Sequence, residues 1–194
     1  VGLDLLSDLA LIDLVLRQGW AGCVVCHLKY HPFFVSDAMP RDLHATISQL
    51  TGFPEGSVRA LGGRLRGYID SGELILQADP FWTSYLMFRA FPPALRDNLA
   101  SSDLVVLKGD VNYRRLLDDR HWPFTTPLEQ VAGYFPAPFL VLRPLKGEIL
   151  VGLAQGQAGA LAAEDPDWLI NGQRGLVHYC RPPASRPPGA MVPA

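Results

Sequence analysis

The segment KGDVNYRR, residues 108–115, holds the densest group of side chains that could bind a phosphorylated molecule. Its cations, Lys108, Arg114 and Arg115, can donate charge-assisted hydrogen bonds to phosphate oxygens. Gly109 permits a tight backbone turn, and the helix predicted to follow presents unpaired backbone N–H groups to an anion. The GxxxxGK[ST] pattern of nucleotide-binding loops is absent from the sequence. A capped helix with ordinary basic surface residues explains the same letters equally well.

A second pair of cations occurs in LRPLKGE, residues 142–148. Arg143 and Lys146 follow an apolar run at residues 139–142 that is predicted to be a strand. The cations of residues 108–115 also come directly after a predicted strand, residues 104–107. Because α/β folds bind their ligands at the carboxyl ends of strands, both groups of cations are candidates for a phosphate site.

The segment CVVCHLKYHPFFVSD, residues 23–37, begins with the Cys-x-x-Cys-His spacing that attaches a c-type haem. That motif needs an exposed loop, whereas the valines between Cys23 and Cys26 indicate a buried strand. We therefore interpret both cysteines as small apolar core residues. A zinc site is not favoured either, because Cys180 stands alone and no second Cys/His pair has ligand spacing.

Asp37 ends the same segment, at the predicted carboxyl end of a strand. A carboxylate in that position can bind a hard divalent cation such as Mg²⁺ or Mn²⁺. The alternative is that Asp37 caps the helix predicted to begin at Pro40. Taken together with the two groups of cations, Asp37 predicts a site for a metal and a phosphate.

Strands and helices alternate along the chain, which predicts an α/β layered domain with a largely parallel sheet. Helices are predicted over residues 5–16, 40–50 and 93–101, and strands over residues 23–28, 73–77, 104–107, 139–142, 148–153 and 175–179. The glycine-rich stretch 51–72 is predicted to be irregular, and the proline-rich tail 181–194 to be disordered.

The composition excludes several classes of protein. The chain has 194 residues and a net charge of −2, so it offers no basic field for nucleic acid or anionic lipid. No apolar run reaches the roughly 18 residues that a membrane span requires. Three cysteines, an odd number, favour a reducing compartment, and we expect a cytoplasmic monomer without nucleic-acid or membrane partners. A helix predicted from the first residues, with no cap residue before it, leads us to expect a fragment of a longer protein.

Five segments occur in an order that resembles a known family: VGLDLLSDLALIDLVL, HLKYHPFFVSDAMPRDL, LVVLKGDVNYRRLLDDR, LRPLKGEILVGL and DPDWLINGQRG. They resemble the damage-control metal phosphatases, in the subfamily of sugar-phosphate phosphatases related to acidic-residue methyltransferase proteins. The resemblance implies a Rossmann-like three-layer α/β/α fold, preceded by a helical region that we expect outside this chain. It implies a partial catalytic domain over residues 1–180.

The resemblance also assigns residues to roles. It implies a divalent cation, Mn²⁺, Ni²⁺, Co²⁺ or Mg²⁺, held by an Asp-Asn pair and by a later Asp that corresponds to Asp37. The pair would directly precede Val1. The family's DxNYR motif implies substrate contacts from Asp110, Val111, Asn112, Tyr113 and Arg114. Its Arg-Thr-x-Lys motif corresponds to residues 143–146, with Lys146 at the substrate and Pro144 in place of the threonine. No catalytic residue is identified.

The function implied by the resemblance is metal-dependent hydrolysis of phosphomonoesters of small sugar phosphates, similar to fructose 1-phosphate, in metabolite damage control. One alternative is methylation of protein carboxylates with S-adenosylmethionine, which has been associated with related proteins. It ranks second because no glycine-rich methyl-donor loop is visible in the sequence. The other alternative is a catalytically inactive, truncated binding module.

Overall fold

The computed structural model describes residues 2–33 and 37–183. The chain divides into two compact units, Val1–Tyr85 and Leu86–Ala194. Two compact units can be parts of one domain, so the single catalytic domain over residues 1–180 stays a prediction. The tail predicted to be disordered lies outside the described residues from position 184 onward.

Within the residues that the structure describes, the first unit contains two parallel strands and three helices. Its elements are α1 (Leu3–Arg17), β1 (Val24–Lys29), α2 (Pro40–Thr51), α3 (Gly56–Ser71) and β2 (Leu74–Asp79), with a 3-10 turn at Pro80–Thr83. Strands β1 and β2 pair from Val24 with Leu74 to Lys29 with Asp79. A parallel pair needs a crossover connection, which α2 and α3 supply.

The core of the first unit forms where the apolar faces of the helices meet the strands. Its buried members recur at helical spacing in α1 and α2, which is why these segments fold as helices, and α3 contributes Leu65. They are Leu5, Leu9, Leu16, Leu28, Leu43, Ile47, Leu50, Leu65 and Leu74. Half-buried Cys26 packs against this core.

Helix α3 corrects the prediction that residues 51–72 are irregular. Each glycine in a helix costs up to about 1 kcal/mol relative to alanine, which made the stretch appear unstructured. Val58, Leu61 and Leu65 nevertheless recur at helical spacing and pack on the core. Gly62 has a specific role, because a Cβ there would lie 2.6 Å from Thr51 N and 2.8 Å from Leu50 Cβ. The glycine therefore lets α3 approach α2 closely.

We predict that Gly62→Ala lowers the free energy of unfolding by about 1–3 kcal/mol, the usual cost of overpacking a close contact. The matched control is Gly63→Ala, whose new Cβ would meet nothing within 4 Å. That variant should gain stability, by up to about 1 kcal/mol, from helix propensity alone. Urea unfolding of both variants tests the prediction, and shifts of the same sign would contradict it.

The part of the second unit up to residue 183 contains a three-stranded mixed sheet and four helices. Its elements are a 3-10 turn at Phe88–Ala90, α4 (Pro93–Ala100), β3 (Val105–Lys108), α5 (Asp110–Leu116), α6 (Leu128–Ala132), β4 (Phe139–Pro144), α7 (Gln157–Glu164) and β5 (Gly175–Cys180). The strand order is β3–β4–β5, with β3 parallel and β5 antiparallel to β4. An aromatic cluster of Phe88, Phe91, Phe135 and Phe139 lies in the core.

The mixed α/β class is confirmed, whereas the three-layer Rossmann-like arrangement stays a prediction. The antiparallel β5 departs from the largely parallel sheet that we expected. Strand β3 was predicted to be buried, but Val106 is 46% exposed and only one face of the strand packs inside. Across residues 2–33 and 37–183, no helix combines the length and apolar character that crossing a membrane requires.

The strand predicted over residues 148–153 is wrong. Ile149, Leu150 and Val151 are buried, as their apolar character indicates. Two of their backbone groups bond to side chains and not to a neighbouring strand: Ile149 O accepts from the Arg143 guanidinium, and Val151 N donates to the Tyr113 hydroxyl. Side chains thus take the hydrogen bonds that a neighbouring strand would otherwise make.

Candidate phosphate-binding site

Strands β3 and β4 bring the two groups of cations to the same edge of the second unit's sheet. Lys108 pairs with Leu142 at the end of the parallel ladder, and Gly109 N donates to Leu142 O at 2.9 Å. Gly109 has φ +91°, so the chain can turn directly from the strand into α5. The segments 109–114 and 143–147 therefore both begin at the carboxyl ends of neighbouring parallel strands, as the sequence predicts.

Arg143 joins these two segments from the inside. Its side chain is completely buried, and its Nε and Nη2 lie 2.8 and 2.7 Å from Asp110 Oδ1. Nη2 also donates to Gly147 O at 3.0 Å, and Nη1 donates to Ile149 O. All three guanidinium nitrogens therefore donate hydrogen bonds within the protein. We interpret Arg143 as a structural link between α5 and the loop 145–149 and not as a donor for a ligand.

Tyr113 packs against the Arg143 guanidinium. It is fully buried, and the Arg143 guanidinium lies over its ring at 4.6 Å from the centroid. Its hydroxyl accepts a hydrogen bond from Val151 N at 3.2 Å. Burial raises the pKa of Tyr113 to about 12, so the phenol keeps its proton at neutral pH.

The remaining residues of the DxNYR segment differ in their exposure and in their hydrogen-bond partners. Asp110 is 16% exposed and paired with Arg143. Asn112 is half-buried, and its Nδ2 donates to Lys108 O at 2.8 Å, which ties α5 back to β3. Val111 is half-buried. Helix α5 has only seven residues and begins with a carboxylate, so cationic side chains are better phosphate donors here than the helix N-terminus.

Arg114 is the cation of α5 that reaches solvent. Its side chain is 44% exposed, and its Nε donates to Asp119 Oδ1 at 2.6 Å. Within the described residues, its two Nη nitrogens donate no hydrogen bond. The hydrogen bond to Asp119 raises the pKa of Arg114 further, with smaller contributions from the charges of Asp110 and Glu148.

Lys146 lies on the surface of the loop that Arg143 fixes. It is exposed, whereas its neighbours Leu145 and Ile149 are buried. Leu145 is anchored on both sides, since its N donates to Arg174 O and its O accepts from Gly172 N, both at 2.8 Å. The ammonium group of Lys146 therefore projects from a loop whose backbone is held by several contacts.

The structure thus brings together the two groups of cations within the second unit. Among their cations, Lys146 is exposed and Lys108 and Arg114 are half-buried, while Arg143 and Arg115 are only 2% and 5% exposed. Sequence reasoning missed Asp119, the partner of Arg114. The available signal was the pair Asp118-Asp119 directly after the helix, because aspartate is one of the few residue types that enter the left-handed region.

Asp37 lies in the first unit, after β1. It is not the cap of α2, because the N-cap is Met39, whose N–H donates to Asp42 Oδ2 at 2.9 Å. The Asp37 side chain is 20% exposed, and its Oδ2 lies 3.4 Å from Lys29 Nζ. The other residues of the FVSD segment, Phe34, Val35 and Ser36, lie outside the described residues.

A divalent cation fits Asp37 as one ligand among several. A carboxylate oxygen is the donor that hard cations prefer, and such ions take about six oxygen ligands. The nearby Lys29 ammonium repels a second cation, so further oxygen ligands are needed to hold one there. Within the described residues, no group of three His, Cys, Asp or Glu side chains could hold a metal ion.

The haem interpretation fails for the reason expected, but the cysteines differ from the prediction. His27 and Cys26 lie in strand β1, not in a loop before a helix. Cys26 is half-buried, and burial raises its pKa to about 11. Cys23 is exposed, so its interpretation as a core residue is wrong. It precedes the strand, where the apolar pattern of residues 24–28 no longer constrains it.

Comparison with known proteins agrees with the motifs at these positions. The family model described as the damage-control phosphatase ARMT1-like domain matches residues 1–161, most of the chain. The chain belongs to this family. The match includes Asp37, all of α5 and the loop with Lys146.

Curated relatives carry the same family name. The rat protein named damage-control phosphatase ARMT1 is 37% identical over 185 residues, which cover 93% of this chain and 42% of the relative. The Xenopus laevis protein of that name is 37% identical over 180 residues, or 91% of this chain and 41% of the relative. The human protein is 36% identical over 185 residues, or 93% and 42%. The chain therefore spans about two fifths of the length of the relatives it matches.

Proposed function

We propose that this chain belongs to a metal-dependent phosphatase that hydrolyses phosphomonoesters of small sugar phosphates in metabolite damage control. Family membership supports the phosphatase class, and the names of the relatives support damage control. The observation that carries the proposal is the buried pair of Asp110 and Arg143. This pair joins the two segments that present Arg114 and Lys146 at one sheet edge.

In the proposed reaction, Arg114 and Lys146 bind the phosphate of the substrate. The planar Arg114 guanidinium offers two terminal nitrogens, a geometry that matches two phosphate oxygens, while Lys146 acts as a point charge. Both cations also stabilise the negative charge that phosphoryl transfer spreads over the equatorial oxygens. Asp110 and Arg143 keep their spacing constant, so little reorganisation is needed as charge develops.

Asp37 is the residue of this chain that we propose as a ligand of the divalent cation, with Mn²⁺, Ni²⁺, Co²⁺ and Mg²⁺ as the candidates. When bound, such an ion polarises the phosphoryl group and lowers the pKa of bound water. Lys29 holds the carboxylate in place through the contact at 3.4 Å and is itself fixed by a hydrogen bond to Trp82 O at 2.6 Å.

A phosphatase screen of the natural full-length protein tests this proposal. Release of inorganic phosphate is measured from sugar phosphates and from phosphomonoesters that contain no sugar, with each of the four cations and with a chelator. We expect sugar phosphates to be the better substrates and the chelator to stop turnover. Methyl transfer from S-adenosylmethionine to protein carboxylates, without phosphate release, would favour the methyltransferase alternative.

We predict that Lys146→Ala lowers kcat/KM about 10- to 100-fold, since a hydrogen bond to a charged group contributes about 1.5–3 kcal/mol. The fold should be unaffected, because Lys146 is exposed. The matched control is Arg96→Ala, which removes one exposed positive charge from α4 in the same unit. The test is to measure kcat/KM of both variants by steady-state kinetics. An equal decrease in kcat/KM for the two variants would contradict a role for Lys146 in the site.

A further inference from the structure

The turn that follows helix α5 contains two consecutive aspartates whose backbone is in the left-handed region. Asp118 has φ +59° and Asp119 has φ +51°. Residues other than glycine are uncommon there. Each costs of the order of a kcal/mol of folding free energy, so it persists only where surrounding contacts hold it. Both carboxylates make such contacts, because Asp118 Oδ2 and Asp119 Oδ1 each accept a hydrogen bond from an arginine Nε at 2.6 Å.

The two aspartates hold different arginines. Asp118 binds Arg89, which also donates to Val131 O and lies over the Tyr134 ring, so this pair secures the fold. Asp119 binds Arg114, the cation that reaches solvent from the candidate phosphate site. The backbone of this turn is further fixed by Asp119 N, which donates to Arg114 O at 2.8 Å.

We infer that Asp119 is a positioning residue that fixes the Arg114 guanidinium for phosphate binding. The inference rests on the proposed function, in which Arg114 binds the substrate phosphate. Asp119 accepts from Nε, on the side of the guanidinium, and the Nη nitrogens remain without a hydrogen bond to the described residues. A carboxylate placed in this way orients the planar group without occupying its terminal edge. A long side chain otherwise loses substantial rotamer freedom when it binds a ligand.

The direction in which the Kd for phosphate changes when Asp119 loses its charge distinguishes a positioning role from a purely electrostatic one. Removing a carboxylate near a phosphate site makes the local potential more positive, which should strengthen phosphate binding. If Asp119 positions Arg114, its removal should instead weaken binding. Asp118→Asn is a matched control, because it removes the same charge at the adjacent left-handed residue and leaves Arg114 paired. Asparagine also tolerates the left-handed region, so neither substitution adds backbone strain.

The test measures the affinity of the natural full-length protein for inorganic phosphate by titration calorimetry. We expect Asp119→Asn to raise the Kd by up to about tenfold, because asparagine can still accept from Nε but no longer holds the guanidinium with a full negative charge. Asp118→Asn should leave the Kd unchanged or slightly lower, even where it lowers the melting temperature. In an Arg114→Ala background, Asp119→Asn should have no further effect on the Kd, because the residue it positions is gone.

Three outcomes would overturn the inference. An unchanged or lower Kd in Asp119→Asn, with a raised Kd in Arg114→Ala, would overturn the positioning role alone and leave Arg114 as a phosphate ligand. An unchanged Kd in Arg114→Ala would overturn both the inference and the phosphate role of Arg114. An equal rise in Kd for Asp118→Asn and Asp119→Asn would assign the effect to the fold of the turn.

Discussion

Asparagine in place of Asp37 is expected to abolish metal-dependent phosphate release by the full-length protein while leaving the fold intact. Asparagine has nearly the same shape but lacks the negative charge that a hard divalent cation requires from its ligands. The loss of the ion pair with Lys29 should cost little stability, because the contact is 3.4 Å long and partly exposed. Turnover is measured with added Mn²⁺, and the melting temperature is measured without metal.

The matched control for Asp37 is Asp42→Asn, in the first turn of α2. Asp42 is also a carboxylate near the start of α2, but it accepts a hydrogen bond from Met39 N and caps the helix. Its loss should lower stability by about 0.5–2 kcal/mol and spare turnover. Unchanged turnover in Asp37→Asn at saturating Mn²⁺ would remove Asp37 from the metal site.

The sequence predicted the positions of most elements because their apolar periodicity is strong. Helices α1, α2 and α4 and strands β1 to β5 lie within a few residues of the expected ranges. The predictions that were wrong concern segments in which tertiary contacts override local preference. Gly62 permits a helix contact that the glycine content of residues 51–72 conceals, and the backbone at Ile149 and Val151 bonds to side chains instead of a strand.

The same limit applies to the candidate site. The placement of Lys146 just after a strand was predictable, because strand ends are where α/β folds bind ligands, whereas Arg143 lies within the last two residues of β4 and not after it. The different roles of the two residues were not predictable: the Arg143 side chain is fully buried, whereas Lys146 is exposed. Sequence spacing gives no sign of that difference, which depends on how the loop 145–149 folds back over Asp110. Whether a cation binds a ligand or the protein is decided by tertiary structure.

Replacing Arg143 by methionine is expected to destabilise the second unit by about 3–5 kcal/mol, the usual cost of leaving one member of a buried ion pair without its partner. Methionine occupies a similar volume but cannot satisfy Asp110, Gly147 O or Ile149 O, all of which accept from Arg143. Arg143→Lys should recover part of the loss, because lysine keeps the charge but not the fork of donors. Hydrogen exchange of amides in the second unit measures the change.

The double variant Asp110→Ala with Arg143→Met separates a structural link from a phosphate ligand. If Arg143 serves Asp110, removing both charges should destabilise less than the sum of the single changes, since no buried charge is left unpaired. If Arg143 instead binds substrate, Arg143→Met should leave hydrogen exchange nearly unchanged and weaken phosphate binding. A stable Arg143→Met protein with weak phosphate affinity would therefore show that Arg143 binds the phosphate together with Arg114 and Lys146.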